Sequence, residues 1–252
     1  MRRAVLLPLA LLLAILAGCG GEPAAPREAA QAPALQANFE PEGEKADPAP
    51  AALPEGRYLL AHLKRPALLR LTPGGRTAAR LARRTEFGSR TVLRVVERRD
   101  GWLRVLATQR PNGKTGWIPE ASAELRATDF ALHVDRSARR LALHRDGRVV
   151  RRMTVAIGRP GTPTPTGRFA VTDRLRPSRA DSPYGCCAIA LTGHQTKLVP
   201  GWPGGDRLAI HGTPQTETIG KAASLGCMRA HRRDLEYLLA RLPLGTPVFI
   251  RA

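Results

Sequence analysis

The stretch HGTPQTETIGKAASLGCMRAH, residues 211–231, contains a histidine directly before a glycine and, sixteen residues later, a cysteine directly after another glycine. A thiol becomes a strong nucleophile when a neighbouring imidazole and backbone N–H groups favour its thiolate. Gly226 has no side chain, so a substrate can approach the backbone beside Cys227, and the N–H groups there could bind an oxyanion. By spacing alone, Cys227 and His211 are either nucleophile and base, or a structural thiol near a satisfied histidine.

Five motifs occur in a fixed order around this stretch: TPTPTGRF (162–169), SPYG (182–185), IHGT (210–213), ASLGCMRAHRRDLEYL (223–238) and GTPVFI (245–250). Together they resemble the L,D-transpeptidase (YkuD-type) catalytic domain over residues 127–251, about half of the chain. The family signature is a His, fourteen to seventeen residues, then Ser/Thr-His-Gly-Cys. Leu225 stands here in place of the second His, which puts a secondary hydrogen-bonding or proton-transfer role in doubt but leaves the upstream base, His211, in place.

The resemblance implies a cysteine-dependent acyl transfer on peptidoglycan stem peptides. Cys227 would attack the carbonyl after the L-configured centre of a diamino acid, His211 would move the proton, and the Gly212 carbonyl would hold the imidazole tautomer. D-alanine would leave, and the amine of a second stem would resolve the thioester into a cross-link. Water or an envelope protein's amine as acceptor, or a non-catalytic peptidoglycan-binding role, are the alternatives.

Other residues near the pair receive lesser roles. Gly226 and Ser224 are assigned to the oxyanion turn, with Ser224 fixing the loop, and Tyr184 is expected either on a flap over the substrate or capping the core. Arg229 is expected either to anchor a substrate carboxylate or to brace the loop. No cofactor and no metal are expected, because the cysteines and histidines lack the paired spacing of zinc ligands.

Two adjacent cysteines, Cys186 and Cys187, stand apart from this stretch. The usual Cα spacing of disulfides disfavours a bond between neighbours. We therefore expect one of them to pair elsewhere in an exported protein, or both to be buried as small apolar side chains.

The chain has 252 residues and a formal net charge of +19, which favours an anionic partner: nucleic acid, anionic lipid or an acidic polymer of the cell envelope. Residues 1–18 comprise two arginines, an apolar run and a small-residue exit, which predict a secretory signal. The ending LAGC resembles the bacterial lipoprotein signal, which implies lipid on Cys19 and anchoring at the envelope; an ordinary signal peptide is the alternative. Export makes nucleic acid an unsuitable partner.

Residues 19–55 are rich in Ala, Pro and Glu without an apolar period, which predicts a disordered linker. Residues 56–126 contain short strand patterns and the arrangement GWLRVLA…GWIP, which resembles bacterial SH3-like domains. Six apolar side chains and two tryptophans are predicted to fill a small β-barrel core: Val92, Leu93, Val95, Trp102, Leu103, Val105, Trp117 and Ile118. The tryptophans would pack there or form a ligand groove.

Residues 127–252 are expected to form the mainly β catalytic domain with one clear helix. Alternating strands meet at the turn around Asp146-Gly147, and residues 176–206 are interpreted as irregular. The helix is predicted in RRDLEYLLARL, where leucines recur at helical spacing, Asp234 lies in the first turn and Pro243 follows. We expect a monomer.

Overall fold

The computed structural model describes residues 55–178, 181–201 and 204–252. The predicted signal peptide and Cys19 lie outside these residues, as does the predicted linker up to residue 54. The described part of the chain belongs to one compact unit and forms two β-sheets. The prediction of a mainly β protein is confirmed. No helix among the described residues is long and apolar enough to cross a membrane.

The first sheet is antiparallel and has seven strands: β1 (Tyr58–Leu63), β2 (Ala67–Arg70), β3 (Thr77–Leu81), β4 (Val92–Arg99), β5 (Trp102–Leu106), β6 (Gly116–Pro119) and β7 (Ala123–Thr128). Their order across the sheet is β3-β2-β6-β5-β4-β1-β7. A short 3₁₀ turn, Glu120–Ser122, links the last two strands.

Seven of the eight residues predicted for the core of this first sheet are buried, and five of them belong to its central apolar cluster. Val92, Leu93 and Val95 of β4 are buried, as are Leu103, Val105, Trp117 and Ile118. Trp102 is half-buried. Asp100 and Gly101 both have positive φ, 50° and 76°, which is the backbone of the two-residue hairpin turn between β4 and β5. The arginines Arg99 and Arg104 lie near the Trp117 ring, so this tryptophan packs rather than lining an open groove.

The second sheet has nine strands: β8 (Phe130–Asp135), β9 (Arg140–Arg145), β10 (Arg148–Gly158), β11 (Gly167–Leu175), β12 (Ala188–His194), β13 (Arg207–His211), β14 (Ala222–Ser224), β15 (Met228–Ala230) and β16 (Pro247–Arg251). Their order is β14-β10-β15-β13-β12-β11-β16-β8-β9, and β9 also pairs with β10. The sheet therefore closes on itself like a barrel. As predicted, Asp146 and Gly147 form the turn between β9 and β10, both with positive φ.

One α-helix, α1 (Arg232–Arg241), is found in the described residues, and it is the predicted one. Its leucines Leu235, Leu238 and Leu239 are buried in the core of the second sheet. Asp234 in the first turn is buried and accepts from Arg151 of β10 at 2.7 Å, which ties the helix to the sheet. The helix ends two residues before Pro243, because the residue before a proline is disfavoured in the helical region.

The interpretation of residues 176–206 as irregular is wrong for β12. This strand, AIALTGH, is buried at every residue except the last. It lies between β11 and β13 in the interior of the sheet. A strand buried on both faces shows a continuous apolar run instead of alternation, so the period-two pattern that revealed the other strands is absent.

Candidate active site

His211 and Cys227 are brought together by two adjacent parallel strands. β13 ends at His211, β15 begins at Met228, and the strand register pairs Ile210 with Met228 and His211 with Arg229. Cys227 immediately precedes β15, so His211 and the thiol lie at the ends of two neighbouring strands. Both line one cleft of about 300 Å³, together with Tyr184, Ser224, Leu225, Arg229 and others. The pairing of strands thus brings residues sixteen positions apart to one site.

The His211 imidazole is buried, with 6% of the residue exposed. Its Nδ1–H donates to the Gly212 carbonyl at 2.5 Å, which assigns the tautomer and leaves Nε2 as the basic nitrogen. The pKa of His211 is lowered to about 4, chiefly by burial; the Gly212 hydrogen bond opposes this effect and the Arg229 charge adds to it. The imidazole is therefore neutral at pH 7 and able to accept a proton.

Cys227 is a free cysteine that lies half-buried at the wall of the cleft. Its Sγ lies 3.6 Å from the Arg207 carbonyl, which accepts the thiol proton. Burial raises the pKa of Cys227, while a backbone hydrogen bond at Ala209 and the Arg229 charge oppose the rise. A lowered imidazole pKa and a raised thiol pKa together describe a pair in which both groups are neutral at pH 7.

The turn before Cys227 is held by Ser224. This buried side chain donates from Oγ to the Cys227 carbonyl at 2.5 Å and accepts the Gly226 N–H at 3.1 Å. Ser224 therefore has the loop-fixing geometry expected of it. The Gly226 N–H is engaged within the turn, so the Cys227 N–H is the better candidate for an oxyanion donor at this point.

Two residues that the sequence reasoning missed hold the other side of the turn. Gln195 Nε2 donates to the Leu225 carbonyl at 2.9 Å, and Thr164 Oγ1 donates to the Gly226 carbonyl at 2.7 Å. Gly226 itself has φ +125°, and a Cβ there would lie 2.0 Å from Gln195 Nε2. Glycine is required at this position both for the backbone angle and for the close approach of the amide.

The side chain and the backbone of Leu225 have separate roles in the cleft. Its half-buried side chain lines the cleft where the family signature has a histidine. Its carbonyl is fixed by Gln195, a contact that does not depend on the Leu225 side chain. The departure from the signature therefore changes the chemistry of the cleft wall and leaves the backbone of the turn in place.

Arg229 and Tyr184 border the same cleft. Arg229 Nη1 donates to Gln215 Oε1 at 3.1 Å and lies 3.3 Å from Thr218 Oγ1, so it braces the loop that follows Gly212. The Tyr184 ring meets His211 edge-on, with ring centroids 5.1 Å apart. Burial, and then the nearby Cys227, raise the pKa of the Tyr184 hydroxyl.

Cys186 and Cys187 are bonded to each other, so the expectation that neighbours would not pair is wrong. The usual Cα spacing describes disulfides between separate segments; here the ring closes across one peptide unit, with the Cα atoms 3.8 Å apart. Cys187 is fully buried, as one alternative had it, and its carbonyl accepts the Gly212 N–H at 3.0 Å. The disulfide thus abuts the residue that orients His211.

Glycines allow the SPYG loop to pack directly on this point. Gly185 has φ +61°, and a Cβ there would lie 2.7 Å from the Thr213 nitrogen. A Cβ on Gly212 would lie 3.0 Å from the Tyr184 carbonyl. Two backbones therefore touch at the base of the cleft, which places Tyr184 against His211.

The described residues thus form a β-rich domain with a cysteine and a histidine in one cleft. Sequence comparison identifies the class of protein to which this domain belongs. The L,D-transpeptidase catalytic domain family, YkuD, matches residues 129–250. A Bacillus subtilis (strain 168) protein, provisionally named L,D-transpeptidase YqjB, is 30% identical over 127 residues, covering 46% of this chain and 68% of that protein. The chain therefore belongs to the YkuD family of L,D-transpeptidases.

Other similar proteins carry the same family description. The provisionally named L,D-transpeptidase YkuD of Bacillus subtilis (strain 168) is 32% identical over 121 residues, which are 48% of this chain. The chain spans 65% of the length of that relative. A crystal structure of an L,D-transpeptidase from Mycobacterium tuberculosis H37Rv is 19% identical with a TM-score of 0.42, covering 67% of this chain and 75% of that one.

Proposed function

We propose that this protein is an acyltransferase that forms peptidoglycan cross-links through a thioester on Cys227. The observation that carries the proposal is the placement of His211, the last residue of β13, and of Cys227, the residue before the adjacent parallel strand β15, at one cleft, with the imidazole tautomer held by the Gly212 carbonyl. Membership of the L,D-transpeptidase family supports the reaction class and the stem peptide as substrate.

The first half-reaction acylates Cys227. As Sγ attacks the carbonyl carbon after the L-configured centre of the diamino acid, His211 Nε2 accepts the thiol proton and a C–S bond forms. The oxyanion is stabilised by backbone donors at the turn, with the Cys227 N–H foremost. The C–N bond to D-alanine then breaks, and the departing amine takes the proton from His211. The neutral thiol–imidazole pair is consistent with this order, because each proton moves only when a bond forms or breaks.

The second half-reaction restores the enzyme. The side-chain amine of a second stem attacks the thioester carbonyl and gives its proton to His211 Nε2. The new C–N bond forms, the C–S bond breaks, and His211 returns the proton to the Cys227 thiolate. Water in place of the amine would give a carboxypeptidase, and an envelope protein's amine would give an attachment enzyme.

The cellular setting follows from the sequence and is proposed with the same mechanism. Export through the signal at residues 1–18, lipid on Cys19 and a linker to residue 55 would hold a monomeric enzyme at the envelope. The sheet of residues 56–126, resembling SH3-like domains, would help to position it on the wall. The formal charge of +19 suits an anionic envelope.

Intact-mass measurement after incubation with a carbapenem tests the thioester chemistry. We expect one covalent adduct on the wild type and none on Cys227→Ala, with Cys186 and Cys187 unchanged in both as internal controls. Wild-type protein that is folded by circular dichroism and takes no adduct would refute catalysis and favour a non-catalytic peptidoglycan-binding role.

Digestion of muropeptides then identifies the acceptor. Dimers in the product masses support transpeptidation, stems shortened by D-alanine support hydrolysis, and unchanged stems contradict both. The Cys227→Ala protein is the control for contaminating activity.

A further inference from the structure

The loop between β3 and β4 of the first sheet contacts the second sheet. Thr85 Oγ1 donates to Oδ1 of Asp173, a fully buried carboxylate on β11. The next residue, Glu86, forms an ion pair with Arg207, the first residue of β13. Two successive side chains of the loop are therefore anchored on strands of the sheet that bears the cleft.

Arg207 connects this loop to the nucleophile. Its backbone carbonyl accepts the Cys227 thiol proton, while its guanidinium donates to the Leu191 carbonyl and to Thr172 Oγ1, both at 2.8 Å. Burial lowers the pKa of Arg207 to about 10, so it remains charged at neutral pH and paired with Glu86. Arg207 thus contacts the Cys227 thiol through its backbone carbonyl and the loop of the first sheet through its side chain.

Phe87, the residue after Glu86, also contacts Arg207 and reaches the cleft. The Arg207 guanidinium carbon lies 5.7 Å from the Phe87 ring centroid, so the ring is stacked on a fixed cation. Phe87 is nevertheless 47% exposed, one of the few large apolar side chains exposed in the described residues. It lines the cleft that also contains Cys227, Tyr184 and His211. An aromatic ring held in place with one face uncovered is a typical ligand contact.

We propose that Phe87 is a substrate-contacting residue contributed by the first sheet, forming a second subsite on which the alkyl and peptide part of a stem peptide packs. The inference rests on the proposed function for its ligand. Ligand clefts occur preferentially where two folded units meet, and this cleft is bordered by both sheets. The first sheet is then part of the active site, in addition to any role in positioning the protein on the wall.

Equilibrium binding of a tetrapeptide stem to full-length Cys227→Ala protein tests the subsite without requiring turnover. Replacing Phe87 by Ala removes one uncovered ring face, and we expect the dissociation constant to rise about five- to tenfold. Phe87→Leu retains apolar area and should restore most of the affinity. Val150→Ala is the matched control, because Val150 is 48% exposed on β10 and does not line the cleft.

A second measurement separates this inference from the proposed chemistry. Thioester formation from the stem is measured separately, by intact mass on the protein that retains Cys227. Equal stem affinity for Phe87→Ala and Val150→Ala in the Cys227→Ala background would overturn the subsite, as would absence of stem binding to the Cys227→Ala protein itself. Stem binding to the Cys227→Ala protein without thioester formation on the wild type would refute the chemistry alone.

Discussion

Replacement of Gly226 by Ala tests whether the turn before the nucleophile depends on the approach of Gln195. Two costs add in this variant. The φ of +125° is unfavourable for any side chain, which costs about 1–3 kcal/mol. The new Cβ would lie 2.0 Å from Gln195 Nε2 and would displace it from the Leu225 carbonyl, and loss of that buried hydrogen bond adds about 1–3 kcal/mol. We expect the free energy of unfolding to fall by about 2–6 kcal/mol.

Gly167→Ala is the matched control for the backbone cost alone. Gly167 has φ +136°, and the nearest atom to a Cβ there is at 3.5 Å, an ordinary contact. Urea unfolding followed by far-UV circular dichroism should show a loss of only about 1–3 kcal/mol for this variant.

A double-mutant cycle isolates the clash. Gln195→Ala removes the amide, so Gly226→Ala in that background should cost about as much as Gly167→Ala, a coupling of about 1–3 kcal/mol. If Gly226→Ala costs the same with and without the Gln195 side chain, the close approach does not determine the requirement for glycine, and the reasoning fails.

Four further predictions concern the chemistry, the turn and the anchor. His211→Ala should lower the rate of acylation by a carbapenem about 10²–10⁴-fold with an unchanged circular dichroism spectrum; unfolding instead would make His211 a packing residue. Because burial lowers the pKa of His211 to about 4 and raises that of Cys227 above the ordinary range of a thiol, iodoacetamide alkylation should still be increasing with pH at the alkaline end of the titration; a plateau between about pH 5 and 8 would indicate a thiolate–imidazolium pair instead. Thr164→Val keeps the shape of a fully buried side chain but leaves the Gly226 carbonyl and the Gly158 N–H unpaired, and at about 1–3 kcal/mol for each group should cost about 2–6 kcal/mol in urea unfolding; a loss below about 0.5 kcal/mol would contradict this. Cys19→Ser should release the protein from membranes on fractionation, and unchanged partition would refute lipidation.

Local chemistry made much of this fold predictable. The hairpin at Asp100-Gly101 and that at Asp146-Gly147 follow from residues that tolerate positive φ. The helix follows from leucines at helical spacing and a proline beyond them. For the site, the order of the motifs singled out His211 and Cys227, and the parallel pairing of β13 with β15 supplies the reason that they meet.

What the sequence left hidden depends on contacts between distant segments. Asn112 of the first sheet exchanges two hydrogen bonds with the backbone of His194, 82 positions later, and neither residue has a local pattern that predicts it. Gln195 follows directly and holds the catalytic turn. A polar side chain that binds backbone carbonyls across the fold carries no periodic signal, so such residues become visible only when the chain is folded.

The bond between Cys186 and Cys187 differs, in its effect on stability, from a disulfide that links two distant segments of a chain. A cross-link restricts the unfolded chain in proportion to the logarithm of the loop that it closes, and a ring between neighbours closes almost none. Its breakage should therefore leave global chain entropy nearly unaltered. The conformational freedom gained on reduction is confined to the peptide unit around Cys187, whose carbonyl accepts the Gly212 N–H. Gly212 in turn accepts the hydrogen bond from the His211 imidazole. Reduction should thus loosen the base without unfolding the protein.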